Sequence, residues 1–337
     1  MSRALTGIRP TGDLTVANYV GAMEPMAQLQ GGFEGDINVF VADLHALTDQ
    51  EPDVINRTRL DVVRSYMAAG VNPEQPHTNL YLQSQIGSQT LELASLLDRH
   101  FSLAELMRVP TLKDKIGEEK AETASVALAR YPILMAADIV IQDATHVPVG
   151  KDQIPHIEVT RTVARRFNNE YGNGSEILVL PEVLAADALK IAGLNGDSKM
   201  SKSSPNGALF LADAPDVAAR KIKKARTALP GETTEVLESH FLLTDRLSSS
   251  DEQRQALHDL QERHLDGQRV MGEFKGLMTD VVVDFLSGYQ ERFNSISDAQ
   301  VKKVLIEGGK AAKTQAEDVM RRVGKAMNFA PDSFLYE

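Results

Sequence analysis

Leu5-Thr-Gly-Ile-Arg-Pro-Thr-Gly-Asp-Leu-Thr-Val-Ala-Asn-Tyr19 changes its backbone period halfway along. Leu5 to Ile8 reads as the end of a short strand, and Pro10 and Gly12 punctuate a turn. Val16, Tyr19, Val20 and Met23 then recur at helical spacing. A strand that passes through a tight turn into a helix start leaves free N–H groups and the positive dipole end at the turn, which suits an anion. An ordinary strand-to-helix connection looks the same, so the segment alone leaves both readings open.

The alternation continues down the chain. Asp36-Ile-Asn-Val-Phe-Val-Ala-Asp43 and Thr78-Asn-Leu-Tyr-Leu-Gln83 read as buried strands. Between them Leu60, Val63 and Met67 mark a helix that Gly70 and Pro73 stop. His146-Val-Pro-Val149 and Glu176-Ile-Leu-Val-Leu180 are further strand candidates. Strands alternating with helices predict an α/β fold, a Rossmann-like doubly wound parallel sheet, with ligands at the carboxyl ends of the strands. After about residue 206 long helical patterns take over, notably Val270 to Phe293 and Asp298 to Met327. The expected division is a catalytic domain over 1–205, completed by a C-terminal helix in 296–337, and an all-helical domain over 206–295.

Composition bounds the function. The chain has 337 residues, long enough for two domains, with 42% apolar and 25% charged residues. It has no cysteine, which excludes disulfides, thiolate nucleophiles and cysteine-based zinc sites. The eight histidines form no H-E-x-x-H pattern, so no resident metal is expected. No apolar run reaches the roughly 18 residues of a membrane helix. The N-terminal residues lack a signal peptide's apolar core, so a cytoplasmic protein with no membrane contact is expected. A net charge of −11 argues against a generic nucleic-acid binder. Yet Lys199, Lys202, Arg220, Lys221, Lys223, Lys224 and Arg226 stand against only Asp213 and Asp216 in one stretch. That stretch is either a solvated face or a phosphate-facing strip.

It begins with Gly196-Asp-Ser-Lys-Met-Ser-Lys-Ser-Ser-Pro-Asn-Gly207, too rich in Gly, Ser, Asn and Pro for a helix or strand interior. The loop holds two ammonium groups three residues apart among hydroxyls. The common P-loop and dinucleotide fingerprints are absent.

The strand-turn-helix with Pro10-Thr11-Gly12 and Asn18, followed by an intact Lys199-Met-Ser-Lys-Ser203, resembles the class I aminoacyl-tRNA synthetases. Their other signature survives in degenerate form as Thr15-Val-Ala-Asn18. Tyr131-Pro-Ile-Leu-Met-Ala-Ala-Asp-Ile139, Val147-Pro-Val-Gly-Lys-Asp-Gln153 and His156-Ile-Glu-Val-Thr-Arg161 resemble the tryptophanyl branch. So do Val41 to Thr48, Thr111 to Lys115 and Tyr289 to Asn294, so the likeness spans nearly the whole chain.

The resemblance implies ATP-dependent ligation of L-tryptophan to its tRNA through an aminoacyl-adenylate, with Mg²⁺, an anticodon-recognising helical domain and a homodimer. It implies that Lys199 and Lys202, with Lys113 and Lys115, neutralise charge on the departing pyrophosphate. It puts Arg9, Pro10, Thr11, Ala17, Asn18, Gly150, Lys151, Asp152, Ile191 and Lys199-Met200-Ser201-Lys202-Ser203 at ATP. Tryptophan would meet Gly7, His45, Tyr131, Met135, Asp138, Val147, Val149 and Gln153. Indole offers one N–H donor and no acceptor, so the Asp138 carboxylate is its fitting partner. Met135, Val147 and Val149 would supply the apolar wall, and Tyr131 and Gln153 would orient the ammonium and carboxylate ends. A tyrosine enzyme of the same fold would commonly have Gln where Met135 sits. A paralogue that lost ligase activity is the remaining alternative. Departures from the family pattern are Ala17 for glycine, Lys151 for Glu, Leu5 for an aromatic, Ser204 for Asp and Arg9 for a frequent Gln.

Overall fold

Five strands form one parallel sheet in the order β3-β2-β1-β4-β5: β1 Ser2–Ile8, β2 Gly35–Val41, β3 Thr78–Leu82, β4 His146–Val149 and β5 Glu182–Ala185. This architecture comes from a computed structural model that describes residues 2–116, 124–150, 153–185 and 191–329, the side chains of Asp114, Lys115 and Ala185 excepted. β1 pairs with β2 from Ser2↔Gly35 to Ile8↔Val41, and on its other side meets β4. The expected doubly wound sheet is therefore present. Both faces of β2 are covered: Ile37, Val39 and Val41 enter one apolar core and Phe40 the other. A strand buried on both faces needs the continuous apolar run that marked it in the sequence.

The helices pack around this sheet. α1 (Val16–Asn18) and α2 (Glu24–Gln30) are parts of one helical run joined by a π turn over Tyr19–Met23. Pro25 has no N–H for the carbonyl four residues back, and the wider turn, closed by Glu24 N–H to Tyr19 O, accommodates it. α3 (Asp43–Ala46) follows β2, and α4 (Pro52–Ala68) ends before Gly70, whose φ of 111° suits glycine. α5 (Gly87–Leu97), α6 (Leu103–Leu106), α7 (Pro110–Ile116), α8 (Val126–Val140) and α9 (Ile154–Tyr171) complete the first part of the chain. α10 (Pro215–Lys223), α11 (Glu235–Leu247), α12 (Asp251–Leu265) and α13 (Met271–Ser295) then pack on one another, with α13 also against α4.

α14 (Asp298–Met327) has the bounds expected from its periodicity. It starts at a Ser297–Gln300 capping box and stops at Asn328 in the left-handed conformation. It lies against β3 and so covers one edge of the sheet. The approach is close enough that a Cβ on Gly308 would meet Leu80 O at 2.1 Å. Residues 330–337 lie outside the described residues.

One strand expectation is corrected. Glu176 to Leu180 is not a strand, and the fifth strand is Glu182–Ala185. Asn168 takes the place of a ladder: its Oδ1 accepts from Ile177 N (3.0 Å) and Leu178 N (2.9 Å), while Nδ2 donates to Leu178 O (2.8 Å). Arg322 of α14 donates to Ile177 O. With its polar groups met by side chains and Leu178 fully buried, the run satisfies burial without pairing.

Candidate active site

β1 occupies the centre of the sheet, with the chain winding to β2 and β3 on one side and to β4 and β5 on the other. Crevices of such sheets open where the order reverses, beyond the carboxyl ends of the strands. Arg9, Pro10 and Thr11 follow β1 at that point, and Gly150 follows β4. Gly12 turns the chain with a φ of 97°. Thr15 and Asn18 close a capping box, Thr15 N donating to Asn18 Oδ1 at 2.9 Å. Arg9 reaches Asp49 at 2.8 Å, and Pro10 O accepts from Thr58 Oγ1. Ala17, in this capped turn, packs partly buried against the core.

The hydroxyl-rich loop lies on the same turn. Leu209 O accepts from Val16 N (2.9 Å) and Leu14 O from Leu211 N (2.9 Å), so the segment after the loop is pinned to the start of α1. Within the loop Met200, 3% exposed, enters the core and its N–H bonds Ile191 O. Anchoring the middle residue leaves the flanking lysines on the surface side. Lys199 is exposed, while Lys202 is half-buried and its Nζ donates to Thr11 Oγ1 and Gly12 O, both at 3.2 Å. Burial lowers the Lys202 ammonium to about 8, against the pull of Asp13, with Arg9 adding to the lowering. Ser201 and Ser203 share a hydroxyl contact of 2.8 Å.

Two cations of the basic strip are paired within it. Lys221 pairs with Asp213 at 2.7 Å and lies over the Phe210 ring, and Arg220 pairs with Asp216 at 2.5 Å. Both acids of the stretch are thus used internally. Lys113 is exposed on α7; the side chain of Lys115, and Lys151 and Asp152 entirely, lie outside the described residues.

Four residues expected at tryptophan, Tyr131, Met135, Val147 and Val149, belong to the apolar cluster on the other sheet face. Leu5, Phe40, Tyr81, Tyr131 and Val147 share one apolar cluster, with Met135 and Val149 packed on it. Gly7 is exposed near the end of β1, and a Cβ there would meet the Phe40 ring at 2.5 Å, so a larger residue would have to displace that ring. Tyr131 Oη donates to Thr111 Oγ1 at 3.1 Å and contacts His156 Nε2 at 3.2 Å. Burial raises the Tyr131 phenol, so it remains a donor at neutral pH. Gln153 is the N-cap residue of α9, its N–H bonding Gly150 O at 2.9 Å.

Asp138, 2% exposed, is held by side chains from two other elements. Its Oδ2 lies 2.9 Å from His45 Nε2, and Gln83 Nε2 donates to both carboxylate oxygens at 2.8 Å. Burial raises the Asp138 carboxyl, opposed by His45 and Gln83. Gln83, Thr111 and Phe40 were not among the expected site residues. Gln83 directly follows β3, so the rule that ligands bind at strand ends was the signal that could have found it. A cleft of about 730 Å³ between α11 and α12 holds none of the residues above.

A parallel sheet with this strand order, a glycine turn at its reversal point and a lysine loop closed on that turn define a Rossmann-type fold with a candidate ligand crevice at that turn. Residues 1–287 match the family described as tRNA synthetases class I (W and Y), and the chain belongs to that family. The chain is 36% identical over 340 residues to the tryptophan–tRNA ligase of Helicobacter pylori J99, covering 96% of this chain and 98% of that protein. Its structure is similar to tryptophanyl-tRNA synthetase from Mycoplasma pneumoniae, with a TM-score of 0.85, 30% identity, and coverage of 99% of this chain and 100% of that one. It is also similar to the Campylobacter jejuni enzyme complexed with ADP and tryptophan: TM-score 0.79, 28% identity, 97% of this chain and 100% of that one.

Proposed function

We propose that the chain ligates L-tryptophan to its tRNA in two steps. The tryptophan carboxylate attacks the α-phosphate of ATP, the bond to the β-phosphate breaks, and pyrophosphate leaves a tryptophanyl-adenylate. A ribose hydroxyl of the tRNA's terminal adenosine then takes the aminoacyl group, releasing AMP. Full-length identity of 36% to a tryptophan–tRNA ligase supports this. The observation in the fold that carries it is Asp138: a buried carboxylate, held by His45 and Gln83, on an apolar sheet face. That is an acceptor for a lone N–H donor, and Met135 beside it suits indole over a phenol.

The chain's own part in the first step is positioning and charge neutralisation. Lys202 leaves Gly12 O for the β,γ-phosphates, and exposed Lys199 joins it from the loop's other side. Lys113, exposed on α7, adds its charge at the pyrophosphate, and Lys115 is assigned the same role. Arg9, Pro10, Thr11, Ala17, Asn18, Gly150, Lys151, Asp152, Ile191, Met200, Ser201 and Ser203 surround the nucleotide. Tyr131 and Gln153 orient the amino acid's charged ends, and Gly7, Val147 and Val149 line the indole. Mg²⁺ held by the phosphates of the nucleotide would supply further charge neutralisation there. Among the described residues the one group of three potential metal ligands, His258, Asp259 and Glu262, lies exposed on α12.

The same reading divides the chain into a catalytic part, 1–205 with the helix of 296–337, and an anticodon-recognising part, 206–295. Family resemblance supports a homodimer, and the tRNA partner supports the cytoplasm as its site of action. Among the described residues no helix is long and apolar enough to cross a membrane. ATP–pyrophosphate exchange tests the reading: it should proceed with tryptophan and remain at background with tyrosine. Equal rates, or none with either, would overturn it.

A further inference from the structure

We propose that Gln83 is a positioning residue that aims one oxygen of the Asp138 carboxylate at the indole N–H. The inference rests on Asp138 being the indole partner. Gln83 is fully buried and is the first residue beyond β3, at the carboxyl end of that strand. Its Oε1 accepts from Leu44 N and His45 N, both at 3.1 Å, at the start of α3. Backbone N–H groups only donate, so the amide oxygen must face them and the NH₂ must face Asp138; the flipped amide would set donor against donor.

One amide N–H thus bridges both carboxylate oxygens, and both lone pairs of the amide oxygen face α3. The carboxylate is not saturated. An ionised carboxylate has about four acceptor sites. Oδ2 takes Gln83 and His45, whereas Oδ1 takes Gln83 alone. Oδ1 is therefore the oxygen left for a further donor. Gln83 also holds the backbone of His45, the second donor, so one side chain sets both the carboxylate and its neighbour.

The test compares tryptophan with its sulfur isostere 3-(3-benzothienyl)alanine, which has the same shape and no N–H. The assay is ATP–pyrophosphate exchange by Gln83→Met, Gln83→Glu, Asp138→Asn and the unaltered protein. The preference for tryptophan in kcat/KM should fall about tenfold or more in Gln83→Met, as expected for a lost hydrogen bond to a charged group, with KM for ATP unchanged. Gln83→Glu should keep the preference at about pH 6, where the introduced carboxyl shares a proton with Asp138 and donates it, and lose it as the pH rises. If Gln83→Met folds and keeps the preference within about twofold while Asp138→Asn abolishes it, Gln83 merely ties β3 to α3 and the proposal fails. If Gln83→Met does not fold, Gln83→Glu decides, and a preference that ignores pH overturns the proposal. Should Asp138→Asn itself keep the preference, it is the indole assignment that falls.

Discussion

Lys202 Nζ lies 3.2 Å from the carbonyl oxygen of Gly12, so a loop 190 residues distant in sequence is already closed on the strand-to-helix turn. The contact buries the ammonium, and burial lowers it to about 8 from the roughly 10.4 of a free lysine. The sign follows directly: below pH 8 the unliganded protein carries the cation, and above it the cation is lost. The kcat/KM for ATP, which reports free-enzyme ionisations, should therefore decline above about pH 8. Lys202→Arg should flatten that alkaline limb, because a guanidinium stays charged. A limb of unchanged position in the arginine form would assign it to another group.

Asp138→Asn keeps the size of the side chain and removes its charge. Losing a charge-assisted hydrogen bond in a buried site should weaken tryptophan binding by about 1.5–3 kcal/mol, measured by calorimetry. Burial raises the Asp138 carboxyl above its ordinary range, so the unaltered protein should lose tryptophan affinity on acidification before a solvated aspartate would. The asparagine form should show no such decline. Parallel pH profiles for the two would remove Asp138 from the indole site.

Ala17→Gly should lower the KM for ATP several-fold and leave that for tryptophan unchanged. Ala17 lies within the Thr15–Asn18 capping box, in the first helical turn, where its methyl would limit how near adenine could approach the backbone. The substitution should also cost about 1 kcal/mol of stability, the helix penalty of glycine against alanine. An ATP KM that stays level or rises would mean that the surroundings already accommodate the methyl.

Gly308→Ala should destabilise the fold by about 1–3 kcal/mol, the usual cost of overpacking a rigid contact. The added Cβ would lie 2.1 Å from Leu80 O and 2.8 Å from Leu80 C, so α14 must move off β3. Backbone cannot give way as a flexible side chain can. Thermal unfolding of the two proteins checks this, and an unchanged Tm would place α14 further from the strand.

Asn168→Ala should cost roughly 2 kcal/mol in urea unfolding, at about 0.5–1.5 kcal/mol for each bond in its set. Those three bonds to Ile177 and Leu178 also show where local reading failed. The run Glu176 to Leu180 has the composition of a buried strand, and it is buried at Leu178. Composition reports burial; it cannot report whether the backbone's partners are a neighbouring strand or a side chain 9 or 10 residues back.

The sequence by itself determined the elements whose patterns are periodic or continuous: β2 and β3, α4, and α13 and α14 nearly to the residue. Their burial demands are local, so a period of 3.6 or an unbroken apolar run states them. It also marked the strand-turn-helix and the lysine loop, because turn chemistry needs Gly, Pro, Ser and Asn in place. Only the tertiary structure decided which lysine of the loop folds back on Gly12, and that Met200 is the anchor between the pair. Only it brought Gln83, His45 and Asp138 together from three elements. Those contacts join residues 38 to 190 positions apart, and no period along the chain encodes a pairing that sheet order alone makes possible.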